Sequence, residues 1–280
     1  MLELIRELGM TFVVSTNGIM IDRHMEAYLD ESCDSVTVSL SFASEDTFRN
    51  IRPTTKPAMR ERIERNVTEL TSRRRAPNRP QVTALYAINK LNCHEVVQMA
   101  HHAHRLGADA IWFQLVHLSD FIRDRLYMDE QDMAQVRQSL REARELCRQW
   151  GIEWHAFIDF EMEHYNEEKG DWSRGGMLAQ GCYVGWHFAF VSLNKEVFMC
   201  CGNQTMGVLD NDRYDLEQMW YSDRWRRYRN DGLVMHRENP LDINGRPLYN
   251  AYCESCDNHD QQMLMLEILG RYGLGKFVER

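Results

Sequence analysis

Five of the chain's eight cysteines fall between residues 181 and 256: Cys182, the adjacent pair Cys200 and Cys201, and Cys253 and Cys256 in a Cys-x-x-Cys arrangement. Thiolates in that arrangement can face one metal centre, and sulfur brought in from elsewhere in the chain completes the four soft ligands that zinc or an iron–sulfur cluster takes. Free cysteine is also among the most buried residue types, so plain burial is the competing reading. It explains neither the clustering nor the Cys-x-x-Cys spacing. Cys33, Cys93 and Cys147 stand apart from one another and read as core or surface residues.

Other constellations carry less chemistry. His101, His102 and His104 fall on one helical pattern, where an ordinary surface arrangement competes with metal binding. Asp159, Glu161 and Glu163 alternate after a strand pattern, a spacing that would set acids at one mouth for proton transfer or leave them solvated. Trp220, Tyr221, Trp225 and Tyr228 mark an aromatic helix, and the acidic balance of the chain makes it packing rather than a nucleic-acid platform.

That balance bounds the function classes. With 280 residues, 44% of them hydrophobic, the chain can build one large or two ordinary domains around a real core. A formal net charge of -9 speaks against a nucleic-acid or anionic-membrane partner, whose footprint would be basic. The basic run Arg73-Arg74-Arg75 reads as a solvated helix end. No apolar stretch approaches the ~20 residues of a membrane span, and residues 1–7 lack the basic-then-apolar order of a signal peptide. The expected compartment is cytoplasmic, where thiols stay reduced and clustered cysteines bind metal more often than they pair.

The elements that would position these residues follow from periodicity. Apolar alternation and β-branched content mark strands at 11–16, 36–40, 82–88 and 110–116, with a weaker one at 153–158. Helical spacing marks 2–8, 22–31, a helix opened by Ser44, 57–74, a helix capped by Asn92 and closed at Gly107, and 129–150 ending at Gly151. Strands alternating with helices of this length imply crossovers and a parallel sheet, so residues 1–164 are expected to form an α/β partial (β/α) barrel. A closed eight-stranded barrel needs ~250 residues. Residues 165–180, polar and glycine-containing, read as a linker. Residues 181–280 are expected to be a small α+β domain: a hairpin of 186–192 and 196–199 delivering Cys200, a helix through Leu216, Met219, Trp220 and Tyr228, a loop-like 231–249, and a closing helix at 261–271.

Several short stretches, taken in order, resemble a known superfamily. Ser15-Thr16-Asn17-Gly18 at a strand end, Val36-Thr37-Val38-Ser39-Leu40 followed by Phe48-Arg49-Asn50-Ile51-Arg52, and Tyr86-Ala87-Ile88-Asn89 before a helix look like the middle of a radical S-adenosylmethionine enzyme. Cys182, Val197-Phe198-Met199-Cys200, Leu216-Glu217-Gln218-Met219-Trp220-Tyr221-Ser222 and Cys253-x-x-Cys256 resemble that superfamily's C-terminal SPASM or Twitch extension. The resemblance implies that Thr16, Asn17, Ser39 and Asn89 contact S-adenosylmethionine and that Arg52 meets its carboxylate as a bidentate fork. It also implies that Cys182, Cys200, Cys253 and Cys256 ligate an auxiliary [4Fe-4S] cluster, with Cys201 the rival to Cys200. Zinc is the alternative metal, and His259 a substitute ligand in that case.

The chain departs from the family in three places. It contains no Cys-x-x-x-Cys-x-x-Cys, the motif whose thiolates hold the cluster that cleaves the cofactor, and no Gly-Gly-Glu after a second strand. Lys195 stands where the family has a glycine before the hairpin cysteine. The first two β/α units of the family are therefore expected to lie outside this sequence, through truncation, splitting or loss, and a partner chain could supply them. By descent the protein is expected to be an oxidoreductase or an enzyme modifying a peptide or small molecule, inactive in radical chemistry alone, with no catalytic residue assignable. The competing class is a non-catalytic metal-stabilised scaffold or peptide-binding module.

Overall fold

A computed structural model describes residues 2–74, 79–118, 120–166, 171–172, 181–200, 205–209, 216–242, 245–250, 253, 256 and 259–273. The chain divides into two compact units, Met1–Trp172 and Ser173–Arg280. Among the described residues no helix is long and apolar enough to cross a membrane.

The first unit is α/β. After helix α1 (Leu2–Glu7), strands β1 (Phe12–Thr16), β2 (Cys33–Ser39), β3 (Gln81–Ile88), β4 (Ala110–Leu115) and β5 (Glu153–Trp154) form one sheet in sequential order. Every neighbouring pair is parallel. The crossovers contain α2 (Ile21–Tyr28), α3 (Glu45–Ile51), α4 (Ala58–Arg73), α5 (Val96–Arg105), α6 (Asp120–Leu126) and α7 (Glu130–Trp150), and α8 (Phe157–Glu163) follows β5. Right-handed crossovers that always step to the next strand pass on the same side, so the sheet has one covered and one open face.

Burial follows that geometry. Val36, Val38, Val82, Ala84, Tyr86, Ile88, Ile111, Phe113 and Leu115 alternate onto the covered face and are buried. The other face presents the paired rows Ser15–Thr37–Thr83, Ser39–Leu85–Trp112 and Ala87–Gln114, in which Ser15 is exposed and all the rest but the buried Thr83 are half-buried.

Local signals set the helix ends. Ser44 accepts the Thr47 N–H at 3.2 Å, Asp129 and Asp132 form a capping box on α7, and Gly151 closes α7 at φ 71°.

Four expectations are corrected. The strand read at 153–158 stops at Trp154, because Ile158, Glu161 and Met162 bury at helical spacing and draw 157–163 into α8. Helix α6 was not anticipated. Asn92 does not cap α5: its side chain is turned inward, and a 3₁₀ turn, Cys93–Glu95, leads into the helix. The segment read as a linker contains an antiparallel pair, β6 (Tyr165–Asn166) with β7 (Asp171–Trp172).

The second unit holds a three-stranded antiparallel sheet, β8 (Phe190–Val191), β9 (Glu196–Phe198) and β10 (Thr205–Val208), in the order β10-β9-β8. The expected hairpin is thus two of three strands. The single helix expected near 216–228 is two: α9 (Leu216–Trp220) and α10 (Asp223–Glu238), split at Ser222, whose hydroxyl caps α10 by accepting the Trp225 N–H at 3.2 Å. Helix α10 also runs through part of the stretch read as loop-like, and α11 (His259–Arg271) closes the described chain. Val184, Val197, Met199, Met206, Trp225 and Tyr228 form part of the core of this unit.

Candidate metal centre and the strand-end edge

The cysteine site is built around α10. The backbone N–H of Cys182 donates to the Gly232 carbonyl at 2.8 Å. A Cβ at Gly232 would stand 2.8 Å from the Cys182 carbonyl oxygen, and one at Gly181 (φ 77°) would stand 2.6 Å from the Leu233 oxygen. Both glycines are therefore needed for Cys182 to press against the middle of the helix. Cys200 follows β9 beyond the buried Met199, and the Cys253 N–H donates to the Asn250 carbonyl at 2.9 Å. Cys182, Cys200 and Cys253 all pack against the second core, and Cys256 is half-buried.

The four sulfurs share one electrostatic neighbourhood. Burial pushes the Cys182 thiol up to about 12 against an opposing backbone hydrogen bond at Val184, and the charges of Cys256, Cys200 and Cys253 each add a lesser push. Burial raises the Tyr228 hydroxyl well above the ordinary tyrosine value, and the charges of Cys182, Cys200 and Cys253 add to that push.

Among the described residues no three His, Cys, Asp or Glu side chains stand in an arrangement that grips an ion. A cysteine must lose its proton to become a metal ligand. An all-sulfur donor set fits a soft centre, an iron–sulfur cluster or zinc. Cys201 and the side chain of His259 lie outside the described residues.

The residues expected at S-adenosylmethionine lie along one edge of the first unit's sheet. Thr16 ends β1 and its Oγ1 accepts the Gly18 N–H at 3.2 Å; Asn17 accepts the Ile19 N–H at 3.1 Å, an Asx turn. Ser39 ends β2, and its carbonyl accepts from Arg52 Nη2 at 2.6 Å. Arg52 is held over Phe42 and Phe48 with its guanidinium carbon 5.6 and 5.8 Å from the ring centres. Asn89 follows β3, is buried, donates to the Ala87 carbonyl at 3.1 Å and accepts the Leu91 N–H at 3.0 Å. The edge therefore gathers all five, while Asn17 and Asn89 commit their side chains to their own turns.

Sequence reasoning missed Asn66 and Glu95 at this edge and gave Asn92 and Glu161 other roles, a helix cap and a proton-transfer acid. Asn66, 1% exposed, donates to the Gly18 and Ile19 carbonyls at 2.9 and 3.2 Å. Asn92, wholly buried, donates to the Ser41 and Ala87 carbonyls at 2.9 Å each and accepts the Asn89 N–H at 2.8 Å. Glu95 accepts the Ala43 N–H at 3.1 Å, and Glu161 the Leu115 N–H at 2.6 Å. The available signal was a polar residue on an apolar stripe, as with Asn66 between Ile63 and Leu70.

The remaining constellations resolve into structure. His102 is buried between Tyr86 Oη at 3.1 Å and Glu64 at 3.1 Å, while His101 and His104 pack on Trp150. Asp159 pairs with Arg144 at 2.5 Å. Trp225 and Tyr228 are core residues of the second unit. Cys33, Cys93 and Cys147 are buried in the first, where desolvation pushes each thiol up to about 11.

No family model matches the chain, and no curated protein does. Among solved structures, a chain described as "Structural study of Project ID from Aquifex aeolicus VF5" is similar over 54% of this chain and 56% of its own, at 10% identity and a TM-score of 0.30. This chain thus spans about half the length of that relative, a likeness too slight to carry a conclusion about fold or activity.

Proposed function

We propose that this chain is a radical S-adenosylmethionine/SPASM-like iron–sulfur protein, part of an enzyme that modifies a peptide or small molecule. The observation that supports this reading is that Cys182, Cys200 and Cys253 all pack against the core of the second unit, and Cys182 feels the charge of Cys256 as well. In support stands the sequential parallel sheet with a crossover helix between strands, as in a (β/α) barrel, and with polar Ser15, Thr37, Ser39 and Gln114 on its open face.

On this reading the four thiolates hold an auxiliary [4Fe-4S] cluster, which when bound supplies an electron path. Zinc on the same thiols is the alternative. Helix α10 holds Cys182 through Gly232, and the β9 end presents Cys200. Thr16, Asn17, Ser39, Arg52 and Asn89 lie where S-adenosylmethionine would be bound, at the carboxyl ends of β1 to β3. Thiolates for cofactor cleavage would have to come from a partner chain or from residues outside this sequence, since it contains no Cys-x-x-x-Cys-x-x-Cys.

The test is anaerobic purification. Brown protein with charge-transfer absorption bleached by dithionite, and loss of iron in Cys182→Ser and Cys256→Ser, is the expected result. Colourless protein that takes up one zinc on reconstitution replaces the cluster with zinc; protein that takes up neither refutes the site.

A second reading, a metal-stabilised scaffold or peptide-binding module in the cytoplasm, is favoured by the commitment of Asn17 and Asn89 to their own turns. Calorimetry with S-adenosylmethionine separates the two, because a scaffold gives no binding heat at millimolar cofactor.

A further inference from the structure

Helix α7 carries Arg137, Arg141 and Arg144 four and then three residues apart, so the three guanidinium groups leave one face of the helix. They line a cavity of about 270 Å³ whose other wall is α8, with Asp159 and Glu163, and whose apolar surface comes from Leu140, Trp154 and Met162. Trp154 packs on Phe113 of the covered sheet face, their ring centres 5.5 Å apart. The cavity thus belongs to the helix side of the sheet and shares no residue with the strand-end edge.

Two of the three arginines are already committed. Arg137 Nη1 donates to the Met162 carbonyl at 3.0 Å. Arg144 donates to Asp159 at 2.5 Å, with its guanidinium carbon 5.2 Å from the centre of the Trp154 ring. These contacts tie α7 to α8 on either side of Arg141. Among the described residues Arg141 makes no ion pair or hydrogen bond through its side chain, and neither does Glu163. The cavity is therefore left with one uncommitted charge of each sign, and the two do not pair with each other.

Exposed arginines on an outer helix need only water as a partner. A cation and an anion both left unmatched around one small cavity with an apolar surface call for a ligand that carries both charges. We infer that the cavity between α7 and α8 binds a small zwitterion, an apolar α-amino acid, with its carboxylate on Arg141, its ammonium group on Glu163 and its side chain against Leu140, Trp154 and Met162. A guanidinium fork takes a carboxylate through two parallel hydrogen bonds, and an ammonium group donates to a carboxylate. Asp159 is already held by Arg144, which leaves Glu163 for the ammonium group. A plain anion would leave Glu163 unmatched, and a plain amine would leave Arg141 so. At about 270 Å³ the cavity falls just below the ~300 Å³ at which common ligand pockets begin, which suits a ligand of amino-acid size. The inference stands whether or not the four cysteines hold a metal.

The test is two-dimensional NMR of the full chain, following the Trp154 indole N–H through three titrations. The probes are L-leucine, isocaproate, which is leucine without its ammonium group, and isoamylamine, which is leucine without its carboxylate. L-leucine is expected to bind at millimolar concentration or below, and each half-ligand about tenfold or more weakly. Arg141→Gln should lose about tenfold in affinity for L-leucine and none for isoamylamine. Glu163→Gln should lose as much for L-leucine and none for isocaproate. Both side chains belong to exposed residues, so the melting temperature of either variant should stay where it was.

No shift with L-leucine at millimolar concentration would overturn the inference. Isocaproate bound as tightly as L-leucine would make this a plain anion site, and isoamylamine bound as tightly would make it a plain cation site; either result overturns the zwitterion. A variant that loses all three ligands together has disturbed packing in place of one charge contact, and L-leucine affinity unchanged in both variants puts the binding elsewhere. Each of these overturns the assignment as well.

Discussion

Lys195 adopts φ 63° between β8 and β9, at the position where the resembling family has glycine. The turn is well bonded around it: its N–H donates to the Ser192 carbonyl at 2.9 Å, its own carbonyl accepts the Leu209 N–H at 2.9 Å, and the Ser192 N–H donates to Glu196 at 2.9 Å. These bonds hold a side-chain-bearing residue in a conformation that costs about 1–2 kcal/mol.

Glycine removes that cost, while its freer unfolded chain offsets about 0.5–1 kcal/mol of the gain. Lys195→Gly should therefore firm the hairpin by about 0.5–1 kcal/mol, which in amide exchange is roughly two- to fivefold more protection. The assay is hydrogen exchange of the Ser192, Lys195 and Leu209 amides by NMR, with Lys195→Ala as control because alanine keeps the Cβ that causes the strain. Exchange in the glycine variant that is equal or faster, or an alanine variant that matches glycine, would refute the reasoning.

Four further outcomes are expected. Asn92→Ala leaves the buried Asn89 N–H without its acceptor and the Ser41 carbonyl without its donor. At ~1–3 kcal/mol each, urea denaturation of the first unit should show a loss of roughly 2–5 kcal/mol; a loss under about 1 kcal/mol contradicts it. Burial alone would raise the Glu95 carboxyl, but Ser44, Thr47, the Ala43 N–H and His94 together hold it below the ordinary 4.5. Its contribution to stability is then fully present above pH 4.5 and is lost as pH falls through the folded value, so Glu95→Gln should flatten the acid limb of the stability profile. Among the described residues no strand pairs with the outer side of β1, which carries no charged residue and exposes Val13 at 71%, so the protein should self-associate and Val13→Lys should suppress it. Sedimentation that finds a monomer at every concentration would refute this. Cys33, Cys93 and Cys147, held up near 11 by burial, should resist alkylation at about pH 8 until the protein is unfolded, as mass spectrometry of labelled peptides would show.

Much of this protein was readable before its fold was known, because the signals were local. The apolar alternation of β1 to β4, the Ser44 cap, the Asp129–Asp132 box and the glycine that closes α7 each act within a few residues of the backbone they shape. The Cys-x-x-Cys spacing pointed to Cys253 and Cys256 for the same reason. What the tertiary structure alone decided depends on residues distant in sequence. Asn92 forgoes the cap that propensity suggests because its amide turns to the Ser41 and Ala87 carbonyls and its oxygen to the Asn89 N–H, partners brought near only by the fold. Residues 157–163 leave the strand for α8 because burial at helical spacing outweighs a β-compatible sequence. Lys195 goes left-handed because its turn is bonded from Ser192 to Leu209, and Cys182 meets Gly232 only once α10 has packed. Periodicity and caps are properties of neighbouring residues, whereas the partner of a buried polar group is fixed by packing that no short window contains.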